Sequence, residues 1–246
     1  MSDIIKAMEY EAEYLSCRMS GEYPFHLVDK VKECGFDSIS EYYEEKRNKK
    51  FNELNFYFIV KSTNDCIEEG FRLLDTKTTG VVFVDCDETF VYTGESKQFN
   101  EGYCAENNIP VYPLNMKGGA IVGSDGDFSI GICIPENLGV DAGYMLNKVK
   151  ELLSKYASSV EVDGNDIMQN GYKVCGTTGY RKNEMYLFIA HFSFSDRTEL
   201  INEICYVPST FSLRRATVQT AKTPGFIEGV TREELKHEVA EWLRLK

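Results

Sequence analysis

Apolar positions along the chain follow two patterns, alternation in short runs and recurrence at helical spacing in longer ones. Phe56, Tyr57, Phe58, Ile59 and Val60 form an aromatic and β-branched run that reads as a buried strand. Residues 64–74 follow as a helix with Ile67, Phe71 and Leu74 facing inward. Two further strands, residues 81–84 and 90–92, are separated by the acidic turn 85–88, and Ile109-Pro110-Val111 leads into a glycine-containing loop. The run FSIGICI at 128–134 reads as a strand, and residues 138–156 as an amphipathic helix with Met145, Leu146, Val149, Leu152 and Leu153 on one stripe. The apolar run 185–194 is the next strand, Asp196 caps a helix through Ile204, and residues 225–243 close the chain with a turn and an amphipathic helix. Strands thus cluster between helices instead of alternating with them one for one. This predicts an α+β fold, a mostly antiparallel mixed sheet flanked by helices, and argues against a doubly wound one.

The first 54 residues read differently. Ile4, Ile5, Met8, Ala12 and Leu15 recur near helical spacing, and Leu27, Val28 and Val31 mark a short helical stretch between Pro24 and Gly35. Residues 38–50 predict a highly charged helix capped by Ser38 or Ser40. The expected organisation is a helical N-terminal extension, 1–54, followed by one domain, 55–246. The extension is either a packing appendage or an element that docks a partner or covers a site.

Residues 160–181, VEVDGNDIMQNGYKVCGTTGYR, hold the densest chemistry. Asn170-Gly171 is the dipeptide preferred by two-residue hairpin turns, because both positions tolerate positive φ. Strand alternation beyond it puts Lys173 and Cys175 on one face and Val174 on the other. A cation fixed on a strand beside Gly176 is suited to hold a phosphate or an acyl phosphate. Asn165-Asp166, ahead of the turn, is either a second polar element of that site or ordinary turn chemistry.

Composition narrows the function classes. The 246 residues carry a formal charge of −12, with no basic stripe to set against it, which disfavours nucleic acid and anionic membranes as partners. No apolar run has the length of a membrane span, and the first residues lack a signal-peptide layout, so a cytoplasmic protein is expected. The eight cysteines form no C-x-x-C pair and read as reduced thiols, with Cys86, Cys133 and Cys205 as small core residues. Three histidines without ligand spacing argue against a zinc site.

The order of motifs over residues 56–246 resembles the biotin/lipoate ligase family, and lipoate–protein ligases in particular. The resemblance lies in three collinear segments: Lys117-Gly118-Gly119-Ala120-Ile121-Val122, then Gly164-Asn165-Asp166-Ile167, then Gly171-Tyr172-Lys173-Val174-Cys175-Gly176. Residues 87–94, DETFVYTG, are similar to the strand–turn–strand that precedes the family's binding loop, and residues 225–243 look like its closing helix. The resemblance implies ATP-dependent activation of lipoate, or a similar carboxylic acid, to an acyl-adenylate, followed by transfer to a lysine of an acceptor protein. It assigns Lys173 to both the acyl carboxylate and the α-phosphate, and the loop residues Lys117 to Val122, with Asn165 and Gly176, to nucleotide and acyl binding. Asp166 would either hold Mg²⁺ near the phosphates or orient Lys173. Octanoyl transferases of the same superfamily suggest a second role for Cys175, as a thiolate whose pKa the neighbouring lysine depresses. Its position favours packing.

The chain also departs from the ligase pattern. The arginine expected before the glycine loop is replaced by Pro113-Leu114-Asn115, and the histidine-aspartate after it by Gly123-Ser124. A late histidine-glycine pair is replaced by Leu187-Phe188-Ile189. These changes leave open an altered ligase in which Lys117 substitutes for the arginine, a non-adenylating acyl- or protein-binding module, a partner-dependent enzyme and an octanoyl or lipoyl transferase.

Overall fold

The computed structural model describes residues 32–61, 65–94, 99–113, 120–205 and 222–245. The chain divides into two compact units, Met1–Leu54 and Asn55–Lys246. In the first, helix α1 (Ile39–Asn52) begins at Ser38, whose hydroxyl accepts from the Glu41 amide at 3.1 Å. Cys34, Phe36, Tyr42 and Phe51 are buried, with the Phe36 and Tyr42 rings packed edge to face. The expected helical stretches before residue 32 lie outside the described residues. No described helix is long and apolar enough to cross a membrane.

The second unit is built on a seven-stranded sheet. Its strands are β1 (Tyr57–Lys61), β2 (Gly80–Asp85), β6 (Phe128–Pro135), β10 (Met185–Phe192), β9 (Tyr172–Lys182), β8 (Asp166–Gln169) and β7 (Val160–Asp163), in that spatial order. Only β1 and β2 pair parallel; the other neighbours are antiparallel. Helix α2 (Asp65–Asp75) packs on β2, β6 and β10, and α4 (Ala142–Leu153) packs on β7, β8 and β9. The α4 stripe of Met145, Leu146, Val149, Leu152 and Leu153 is buried as its spacing predicts. Central strands β6 and β10 have two neighbours and helical cover, and their apolar runs are buried. Strand β1 corrects the reading of a buried strand. It is the sheet edge, with Tyr57 56% and Val60 57% exposed. Its β-branched and aromatic content reports strand preference, which edge strands share with central ones.

A three-stranded sheet, β4 (Val111–Pro113), β3 (Phe90–Thr93) and β5 (Ala120–Gly123), completes the unit. Helices α3 (Glu101–Glu106) and α5 (Thr198–Ile204) pack together near it, and α6 (Arg232–Trp242) closes the chain behind a capping box formed by Thr231 and Glu234. The two strands expected around the acidic turn, β2 and β3, pair into different sheets. Phe90 sits against Gly123 on β5, where an added Cβ would overlap its ring. Overpacking of this kind typically costs about 1–3 kcal/mol. Gly123→Ala is therefore expected to lower stability by that amount in urea unfolding, and an unchanged midpoint would contradict this packing.

Candidate active site at the Lys173 bulge

Strands β7, β8 and β9 form a meander whose two turns are set by residues with positive φ. Gly164 (φ 62°) lies in the first, and Asn170 (54°) and Gly171 (82°) form the second, as the Asn-Gly dipeptide predicts. The pairing of β8 with β9 is irregular. Lys173 lies opposite Met168 and Cys175 opposite Ile167, so two steps on β9 match one on β8 and Val174 is the extra residue of a bulge.

The bulge changes the parity of the strand. A Cβ at Gly176 would point at the Lys173 ammonium (3.4 Å) and toward Asp166 Oδ1 (3.8 Å), so Lys173, Gly176 and Asp166 share one face. Cys175, adjacent to Gly176, points to the other. The expectation that Lys173 and Cys175 share a face is thus corrected, since simple alternation holds only along an unbroken ladder.

Lys173 Nζ lies 3.0 Å from Asp166 Oδ1, with the lysine side chain 35% exposed and the aspartate 17%. A third group joins them. Lys222 Nζ is 2.8 Å from the other oxygen of Asp166, and it also meets the carbonyl of Asp163 and, at 3.2 Å, its carboxylate. The segment carrying Lys222 is laced across the meander. Lys173 N–H donates to the Thr223 carbonyl and Gly225 N–H to the Lys173 carbonyl, both at 2.9 Å. Ile227 N–H donates to the Ser193 carbonyl, and the Gln169 amide bonds the Glu228 backbone in both directions. Burial opposes the Lys222 charge, but hydrogen bonds and charge from Asp166 and then Asp163 outweigh it and raise its pKa.

Beyond Gly176 the same row of the sheet is polar. Gly176 pairs with His191 on β10, and His191 pairs with Ser129 on β6, whose hydroxyl is 2.8 Å from His191 Nδ1. His191 Nε2 lies 3.4 Å from Asp127 Oδ2 and 3.3 Å from Arg197 Nη1, all three side chains being buried. Asp127 is fully enclosed. It accepts from the amides of Phe194 (2.7 Å) and Ser124 (3.0 Å) and pairs with Arg197 Nη1 at 2.8 Å. Arg197 in turn donates to the Ser193 hydroxyl and to the carbonyl of Val122, tying β5 to the large sheet. Burial works to raise the Asp127 pKa, yet the His191 hydrogen bond and charge, with Arg197 and the Phe194 amide, hold it below the ordinary carboxylate value. His191 is lowered, first by burial and then by the Arg197 charge, against the pull of Asp127, and so is neutral at pH 7.

Cys175 has no exposed surface, and burial, with a smaller contribution from Asp166, drives its thiol well above the ordinary range. Burial accords with the packing role that its position favours: the bulge turns the sulfur into the core, where burial outweighs the neighbouring ammonium. Alkylation of the native protein by iodoacetamide at pH 7.5 is expected to leave Cys175 unmodified until denaturant is added. Rapid native labelling, read by peptide mass spectrometry, would contradict this placement.

The expected site residues separate into three groups. Lys173, Asp166 and Gly176 come together as described. Ala120, Ile121 and Val122 form β5, and Arg197 ties Val122 to the buried polar row. Asn165 is exposed in the β7–β8 turn, and its carbonyl accepts from the Thr177 amide and hydroxyl at 2.9 and 2.7 Å. Lys117, Gly118 and Gly119 lie outside the described residues, as do Leu114 and Asn115. Lys222, Asp127, His191 and Arg197 were not anticipated. Among the described residues no group of three or more His, Cys, Asp or Glu side chains is placed to hold a metal ion. Each oxygen of Asp166 faces an ammonium, Oδ1 that of Lys173 and Oδ2 that of Lys222.

No family model matches the sequence, and no curated protein matches it. Solved structures do. A lipoate–protein ligase A bound with ATP is 15% identical, with a TM-score of 0.58 over 78% of this chain and 86% of that one. The bipartite lipoate protein ligase of Thermoplasma acidophilum, described with its E2 lipoyl domain, is 14% identical, with a TM-score of 0.58 over 78% and 85%. P. falciparum LipL1 in complex with lipoate is 12% identical, with a TM-score of 0.60 over 77% of this chain and 63% of that one, so this chain spans less than two thirds of that protein. At such identities the likeness is one of fold: the chain has the α+β fold of the lipoate–protein ligases.

Proposed function

We propose that the chain is a lipoate–protein ligase-like enzyme, which activates lipoate or a similar carboxylic acid with ATP and transfers the acyl group to a lysine of an acceptor protein. The observation that carries this reading is the Lys173 ammonium, held 3.0 Å from Asp166 above Gly176, within a fold shared with a ligase bound to ATP and another bound to lipoate. Lys173 sits where two anions have to be brought together. In the first half-reaction a carboxylate oxygen of the acid bonds to the α-phosphorus of ATP while the bond to pyrophosphate breaks. In the second, the acceptor amine attacks the acyl carbon, AMP departs and the amine loses a proton. A fixed ammonium offsets the repulsion between carboxylate and α-phosphate as the first bond forms. An ammonium has three donors. Asp166 takes one from Lys173, and the side chain is open enough for a substrate to meet the others.

The nucleotide would lie along β5, with the backbone at Ala120 to Val122 as its floor. Asp166 does not fit a magnesium site, because both its oxygens are taken by ammonium groups, and Mg²⁺ enters this reading only as the counter-ion of ATP. The free cysteines among the described residues suit a reducing cytoplasm, the compartment we assign. Burial of Cys175 counts against the octanoyl transferase alternative, which needs an accessible thiolate. The test is acid-dependent pyrophosphate release from ATP across short and medium-chain acids, including lipoate and octanoate. Release with one acid class supports the ligase reading, and no release with any acid leaves the binding-module alternative.

A further inference from the structure

Lys222 has no part in the reaction just described, yet its placement is the most constrained of any cation at the site. Its ammonium meets three acceptors, Asp166 Oδ2 at 2.8 Å, Asp163 Oδ2 at 3.2 Å and the Asp163 carbonyl, which matches its three donors. Its backbone continues into the strand-like segment that bonds Lys173 on both sides. Lys173 is the opposite case. Among the described residues it has one acceptor, Asp166 Oδ1, and its side chain is more exposed. One carboxylate is therefore shared between a fixed ammonium and a freer one.

Sharing has an energetic consequence. A buried or half-buried carboxylate that loses its only counter-ion is left uncompensated, which is far more costly than a weakened pair. If Asp166 had Lys173 alone, moving that ammonium onto a substrate anion would orphan it. With Lys222 on its second oxygen, Asp166 stays paired whether Lys173 is at rest or engaged. We infer that Lys222 is a positioning residue: it acts as the resident counter-ion of Asp166, so that Lys173 is aligned by the carboxylate but released from it at low cost when an anionic substrate arrives. This rests on the proposed role of Lys173 and adds a residue to it.

The test compares Lys222→Gln, Asp166→Asn and the double variant, with Lys222→Arg as the conservative change. Activity is read as acid-dependent pyrophosphate release. Independently, the rate at which Lys173 is labelled by an amine-reactive ester is followed by peptide mass spectrometry without substrates. Lys222→Gln is expected to lower kcat/KM about tenfold, a loss typical of removing one charged partner, and to slow labelling of Lys173 severalfold, because the undivided carboxylate then holds it. Lys222→Arg is expected to stay within about threefold of the parent. The double variant is expected to be no worse than Asp166→Asn alone, with labelling restored, since no carboxylate remains to be shared. Overturning results are Lys222→Gln within twofold of the parent in both readouts, or losses that multiply in the double variant, which would make Lys222 act independently of Asp166. Should Lys222→Gln fail to fold, the comparison of Asp166→Asn with the double variant decides alone, since neither contains an orphaned carboxylate: equal values support the inference and a further tenfold loss refutes it. If the parent releases no pyrophosphate with any acid, the proposed reaction falls, and the labelling rates still decide whether Lys222 governs Lys173.

Discussion

Lys173→Ala is expected to lower acid-dependent pyrophosphate release on the order of 10²–10³-fold, the loss seen when one preorganised group opposite developing charge is removed. The same change is expected to leave the fold nearly as stable as the parent. Asp166 keeps its 2.8 Å partner Lys222, so no buried charge is stranded, and a half-exposed ion pair contributes about 0–1 kcal/mol. The separation of the two effects is the informative part. A large loss of both activity and stability would mark Lys173 as a scaffold group. Intact binding of the acid and ATP, with release abolished, would mark it as the group that brings the anions together.

The largest stability effect is expected at Asp127. Asp127→Ala leaves the Arg197 guanidinium buried without its counter-ion and frees the amides of Phe194 and Ser124 inside the domain. Breaking a buried pair from one side typically costs about 3–5 kcal/mol. By contrast, Lys77→Gln at the surface pair with Glu184, both side chains more than half exposed, is expected to leave the unfolding midpoint nearly unchanged. Urea unfolding of the two variants side by side tests the contrast. The network also fixes how the protein responds to acid. The folded-state pKa of His191 lies below its unfolded value, so unfolding takes up a proton there as pH falls through about 6.5, and stability declines from that point. Asp127 is likewise depressed. Its contribution is present above the unfolded value of about 3.9 and is lost as pH falls toward the folded one. Thermal midpoints are thus expected to fall in two stages, below about pH 6.5 and again below about pH 4. A profile flat from pH 7 to 5 would contradict a neutral, buried His191.

What the sequence made legible follows from where local rules hold. The α4 stripe, the Asn170-Gly171 turn and the apolar run of β10 were readable because a period or a dipeptide determines each of them locally. The partnership of Lys173 with Asp166 was also within reach, since both lie on one meander. The face of Cys175 was not. A bulge of one residue, Val174, inverts the alternation beyond it, and nothing in GYKVCG marks the extra residue. Lys222 was missed because it comes from a segment distant in sequence that pairs with Lys173 only through backbone groups, which any sequence supplies. Arg197 and Asp127 were missed for a different reason. An isolated charged residue in a polar stretch reads as surface, and burial of such a group becomes evident only when its counter-ion is seen beside it. The Asp196 carboxylate accepts the Thr198 amide at 3.0 Å, but the N-cap position of the helix ending at Ile204 is Arg197, one residue beyond the expected cap.

The buried row from Asp127 to Gly176 gives the site a frame. Arg197 holds the end of β5 through the Val122 carbonyl, His191 lies opposite Gly176 in the β9–β10 ladder, and the Lys173 bulge opens on the same row. Under the proposed reaction, a buried polar network of this kind would hold the Lys173 ammonium within the narrow tolerance that charge stabilisation requires.

In the proposed reaction Lys173 holds a carboxylate against the α-phosphate of ATP while the two are joined. Mass spectrometry of the purified protein mixed with ATP–Mg²⁺ and a panel of short and medium-chain acids tests it most directly. A bound acyl-AMP formed from one of the acids, and absent with Lys173→Ala, is the predicted result. Protein that carries intact ATP or free acid but never the joined product, or that forms the product equally well without Lys173, would contradict it.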